Sequence, residues 1–212
     1  MRKAIIAVAA LVSFSCITNA FGEGDSAANL QSNATYEFYS GDLMSAEAHL
    51  NSALEHYQAS NDEKGQAETL ALLGRIAATR GENSQAEAYH KRALALFEKQ
   101  GDKSAVANTY LELSAAARDR ADLKSATSLA TRAKELYREV QDRTGEANAL
   151  TTLGQLHILT GDVDAGASLF NEAHSLYDDK SDKTSVAWNL SALVDVALMQ
   201  NRLDDAEKKS RE

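Results

Sequence analysis

Leu70 through Ala93 reads LALLGRIAATRGENSQAEAYHKRA. Leu70, Leu73, Gly74 and Ala77 recur at steps of three and four, which places them on one stripe of a helix. Ala86, His90, Ala93 and, just beyond, Phe97 form a second such stripe. Between the stripes lies Gly81-Glu82. Glycine there suits a tight turn with positive φ. The acid after it suits a helix start, where free N–H groups and the helix dipole favour negative charge. The stretch therefore predicts two helices joined by a short turn, the first over residues 62–80 and the second over residues 82–99.

Moving outward in steps of forty residues, the same pattern returns without a gap. Gly41-Asp42, Gly81-Glu82, Ala121-Asp122 and Gly161-Asp162 fall in register, as do Asp62, Asp102, Asp142 and Asp182. Leu73, Leu113, Leu153 and Leu193 share a column. Ala53, Ala93, Ala133 and Ala173 share another, and Ala67, Ala107, Ala147 and Ala187 a third. Tyr57, Phe97, Tyr137 and Tyr177 keep one aromatic position. A period of this length is the mark of a repeat architecture, in which stacked units supply a core that no single hairpin has. The chain contains no proline, which agrees with uninterrupted helices, since proline removes a donor and clashes with the preceding turn.

The order of large residue, Leu-Gly, larger or small core residue and two alanines seven apart resembles the tetratricopeptide repeat. In one unit it is carried by Leu70, Leu73-Gly74, Ala77, Ala86 and Ala93, and in another by Leu150, Leu153-Gly154, His157, Gly166 and Ala173. The usual unit is 34 residues with a closing proline. Here the unit is forty residues and the proline is missing, so the chain looks more like the extended variant of kinesin light chains and of bacterial adaptor and sensor proteins. The resemblance covers residue 25 to the end. It implies an all-α, right-handed α-solenoid of about four and a half to five helix-turn-helix repeats. Gly74, Ser114 and Gly154 are expected to face Ala86, Ala126 and Gly166 within their hairpins, where small side chains let helix backbones approach. The Tyr57 series is expected to pack on the next unit.

Both ends depart from the repeat. Asn33 and Glu37 stand where Leu73 and Ala77 recur, so the first helix reads as an atypical cap. The second helix of the last unit is expected to start near Leu203, and the repeat would carry it past Glu212, so either that helix frays or the chain is a fragment of a longer protein. Before the repeat, Arg2 and Lys3 precede an apolar run, Ala4 to Val12, and Thr18-Asn19-Ala20 offers a small residue for cleavage. This is the pattern of a secretory signal peptide over 1–20, with the repeat domain over 21–212. The run is too short to span a membrane, which takes about 20 apolar residues. Export to a periplasmic or secreted location follows as the expectation. The alternative makes Cys16, the sole cysteine, a lipidated first residue behind the small Ser15. Asn33-Ala34-Thr35 and Asn189-Leu190-Ser191 fit the glycosylation sequon, which matters only on a eukaryotic secretory route.

Composition narrows function further. The net charge is −9, and no basic cluster offers a nucleic-acid footprint. The histidines His49, His56, His90, His157 and His174 show no His-Glu-x-x-His spacing, and His90 and His157 occupy columns that hold core residues elsewhere. Gly22-Glu23-Gly24-Asp25-Ser26-Ala27 imitates a dinucleotide loop without the strand that such a loop needs. No catalytic set, metal site or cofactor is expected, and the chain reads as a non-enzyme. The resemblance implies a concave groove for a protein or peptide partner, lined by first helices at Glu68, Arg75, Asn108, Arg118, Asn148 and Gln155. Toward the C-terminal side Ile158, Trp188, Leu198 and Met199 join them. Trp188, the sole tryptophan, shares a column with Glu68, Asn108 and Asn148 and is expected to be the strongest anchor. The alternative function is an extracytoplasmic sensor or localisation segment of a larger signalling enzyme.

Overall fold

The computed structural model describes residues 26–177, 183–201 and 208–211. The signal-peptide and Cys16 readings, Asp182, and the helix start expected near Leu203 lie outside the described residues. The helices are α1 (Ala27–Ser40), α2 (Leu43–Ala59), α3 (Glu63–Thr79), α4 (Asn83–Gln100), α5 (Lys103–Asp119), α6 (Leu123–Glu139), α7 (Arg143–Leu159), α8 (Val163–Leu176) and α9 (Lys183–Met199). The fold is all-α, and consecutive helices pack as pairs, the order of an α-solenoid. The chain forms two compact units, Met1–Leu72 and Leu73–Glu212.

One turn is used at each of the seven junctions from α1 to α8. The first or second residue past the helix end takes left-handed φ, at Gly41 (88°), Asn61 (54°), Gly81 (77°), Gly101 (70°), Ala121 (60°), Gln141 (60°) and Gly161 (85°). The backbone conformation thus repeats every twenty residues, although glycine appears at only four of these seven positions. At the other three, a side chain sits where L-residues carry a penalty of about 1–2 kcal/mol. The acid that follows serves both helices. The N–H of Asp122 donates to the Ala117 carbonyl at 2.9 Å, closing α5. Its carboxylate accepts from the Ser125 N–H at 3.1 Å, opening α6. Asp42, Asp102, Asp142 and Asp162 cap their helices in the same way, and Asp62 accepts from the Gly65 N–H at 3.0 Å. Each such cap is worth about 1 kcal/mol. Glu82 departs from the series: its carboxylate makes no cap hydrogen bond, because the extra methylene displaces the oxygen that a short Asp presents.

Within unit one, α1 packs on α2. Leu30, Ala34, Ala46, Leu50 and Ala53 are buried. Glu37, the residue that broke the column, accepts from the His49 ring at 2.7 Å, so a side-chain hydrogen bond replaces the small apolar contact. Tyr57 lies over Gly65, where an added Cβ would sit 2.3 Å from the ring.

Within unit two the aromatic series behaves alike. A Cβ on Gly145 would sit 2.2 Å from the Tyr137 ring. The Tyr137 hydroxyl donates to the Asn108 side-chain oxygen at 2.6 Å. One ring therefore ties α6 to α5 and α7. Burial raises the pKa of this phenol, with Asp142 and Glu112 adding to the effect. The hairpin interior follows the expected columns only in part. The Ser114 hydroxyl donates to the Ala126 carbonyl at 2.8 Å, and a Cβ on Gly166 would lie 3.0 Å from the Gly154 carbonyl oxygen. Gly74 and Gly154, however, are filled from one turn further along. An added Cβ would meet the His90 ring at 2.5 Å and the Phe170 ring at 2.6 Å.

Candidate functional site

Unit two carries a cleft of about 490 Å³ whose walls come from α5, α7, α8 and α9. Phe170, Val196 and Ile158 are apolar lining residues. Leu159, Trp188 and Met199 stand around them with exposures of 58%, 72% and 62%. The polar lining is Arg118, Gln155, Ser191 and Asp195. Arg118 is held by its neighbour, with Nε and Nη2 donating to one Asp119 oxygen at 3.1 and 2.9 Å. Gln155 is exposed.

The structure brings Arg118, Gln155 and Trp188 together, along with Ile158 and Met199. Leu198 is exposed (51%) but does not line the cleft. Arg75 lies 3.9 Å from the Glu112 carboxylate; burial raises the Glu112 pKa and the guanidinium works against that rise. Asn108 and Asn148 are exposed, and their side-chain oxygens are engaged: Asn108 accepts from Tyr137, and Asn148 from the Tyr177 hydroxyl at 2.9 Å. Their first task is therefore to hold the aromatic column. Glu68 belongs to unit one, where Lys64 is 3.9 Å away and the Gln31 amide donates to it at 3.4 Å.

Sequence reasoning missed Phe170 and Val196 as lining residues, and with them Leu159, Ser191, Ala192 and Asp195. A signal for the last three was present. From Trp188 they follow at steps of three, four and seven, one face of one helix. Leu159 offered none, since an apolar residue in the last turn of a helix reads equally well as core.

Of the histidines, His49 pairs with Glu37, and His56 is exposed. His157 lies 3.6 Å from Asp162. His174 has a buried Nδ1 without a partner. His90 is buried, with both ring nitrogens unpartnered. Burial, and secondarily the charge of Arg75, lowers its pKa from 6.5 to about 4. Asn189 of the second sequon is fully buried and donates to the Phe170 carbonyl at 3.1 Å. Asn33 of the first is exposed. Among the described residues, no helix is long and apolar enough to cross a membrane.

Residues 26–99 match the family model described as tetratricopeptide repeat. Over the larger part of the chain the likeness is structural. BtubC (BKLC) from P. vanneervenii superposes with a TM-score of 0.73 at 18% identity, over 86% of this chain and 76% of that one. A Rap protein complexed with competence and sporulation factor gives 0.78 at 17% identity, over 92% of this chain but 56% of that one. A putative kinesin light chain of Podosopora anserina with nearly identical TPR-like repeats gives 0.67 at 12% identity, over 87% and 91%. A search of curated proteins found no match. The class is thus a tetratricopeptide-like α-solenoid.

Proposed function

We propose that the chain is a non-catalytic scaffold that holds a protein or peptide partner in the cleft beside Trp188. The observation that carries this reading is the indole itself: the sole tryptophan, 72% exposed, at the rim of an apolar hollow. Exposed aromatic rings beside concave apolar surface are typical anchors of recognition. The Rap structure, complexed with competence and sporulation factor, supports it by analogy of fold. Export rests on Arg2, Lys3, the apolar run and Ala20. Secreted material should begin at Phe21, or at a lipid-bearing Cys16; recovery from the cytosol with Arg2 and Lys3 retained would count against both.

The docking site is tested by photo-crosslinking from position 188 and from Glu135, exposed on α6. The partner should label from 188 and not from 135. Trp188→Ala should weaken binding by roughly 1 kcal/mol or more with the helical signal unchanged. Labelling from 135 alone would move the site to the second helices. The sensor reading draws on another neighbour, a signal transduction ATPase with a tetratricopeptide repeat sensor, of which this chain spans 28%. A signalling domain encoded in the same reading frame would favour it.

A further inference from the structure

Helix α9 carries only two charges, Lys183 and Asp195, and is otherwise rich in apolar residues on every side. Such a helix is normally covered all round, yet Trp188, Leu198 and Met199 stand exposed. Trp188, Ser191, Ala192 and Asp195 share one stripe and all line the cleft. The seven-residue step separates indole and carboxylate by about 10.5 Å along the helix axis. Between them, the small side chains of Ser191 and Ala192 leave a notch. Charge is unevenly matched here. Arg118, the only cation lining the cleft among the described residues, is engaged by Asp119. Asp195 is exposed and has no ion pair with any described residue.

Resting on the reading of this cleft as the docking site, we propose that it selects a peptide segment in which arginine or lysine adjoins a large apolar side chain. The apolar side chain fills the hollow of Ile158, Phe170 and Val196. The cation lies in the notch with its methylene stem over Ser191 and Ala192, as long basic side chains cover apolar surface. Its charge is held by the Asp195 carboxylate. The acidic excess of the chain, 31 acids against 22 bases, draws such a segment in from a distance.

The sole tryptophan makes the test direct. Emission from Trp188 is followed while the full chain is titrated with three capped peptides that share a Leu-Phe anchor and carry arginine, glutamine or glutamate on either side. The arginine peptide should shift the emission and bind about tenfold tighter than the glutamine peptide, and the glutamate peptide should bind weakest. In Asp195→Asn, checked by its melting curve, the arginine-over-glutamine ratio should fall to within about twofold. If all three peptides bind alike, the docking site stands and the charge selection is overturned. If none perturbs Trp188, both readings fall. If the ratio survives in Asp195→Asn, the cation is read elsewhere and the proposal is wrong.

Discussion

In the α7–α8 hairpin the ring of Phe170 lies against Gly154; in the α3–α4 hairpin, two repeats earlier, the ring of His90 lies against Gly74. The two pairs match in shape and differ in chemistry. Phe170 fills its slot with carbon. His90 fills the same slot with two ring nitrogens that find no partner, and burial keeps that ring neutral. In the α5–α6 hairpin the slot closes differently, with alanine at 130 and the Ser114 hydroxyl on the Ala126 carbonyl. What the repeat preserves is a filled volume between two helices. Polarity in that volume is free to drift so long as it stays uncharged or bonded.

The strongest way to break this comparison is to fill a glycine. Gly154→Leu forces side-chain atoms into a space where even a Cβ would be 2.6 Å from the Phe170 ring. A loss of about 3 kcal/mol or more is expected in denaturant unfolding. Gly74→Leu should cost a similar amount, because the His90 ring is as close. A melting curve unchanged in either variant would refute the pairing.

Acid separates the two hairpins next. His90 has a folded pKa of about 4 against an ordinary 6.5, so the unfolded chain binds the extra proton between those values. Stability tied to this residue is fully present above pH 6.5 and is lost as pH falls toward 4, by on the order of 3 kcal/mol. His90→Phe should remove this part of the acid sensitivity. It should also raise stability at neutral pH by about 1–2 kcal/mol, because two unpartnered buried nitrogens disappear. A variant with the wild-type pH profile would show that His90 does not stay neutral in the fold.

Smaller effects sharpen the comparison at the repeat's edges. Tyr177→Phe removes the hydroxyl bound to Asn148 and should cost about 1 kcal/mol. Phe97 shows that the column itself tolerates a ring without a hydroxyl. A loss several times larger would mean that Asn148 needs the tyrosine to stay ordered. Ala121→Gly, at a φ of 60°, should raise stability by somewhat less than 1 kcal/mol. A drop instead would show that the side chain at this turn makes a contact outweighing its strain.

The period, the helix pairs and their approximate limits could be read from the sequence, because apolar spacing and turn chemistry act within a few residues. The helix expected over residues 62–80 runs from Glu63 to Thr79, and that expected over residues 82–99 from Asn83 to Gln100. The capping role of Asp42, Asp122 and Asp162 was equally local. The turn at Ala121 and Gln141 was less plain, since glycine marks positive φ and these residues do not. The cleft was legible at Trp188, whose column is otherwise polar, and at Arg118, Gln155, Ile158 and Met199.

By itself, then, the sequence determined a forty-residue helical repeat with aspartates at its joints, since each of those features is set by neighbours along the chain. Tertiary structure alone decided which side chain fills which glycine. His90 and Phe170, one turn beyond the expected Ala86 and Gly166, reach Gly74 and Gly154 because helical side chains lean back toward the preceding turn. It also decided that Asn108 and Asn148 serve tyrosines, and that Arg118, Gln155, Trp188 and Asp195 line one hollow. Those groupings join residues tens of positions apart, and only packed helices bring them together.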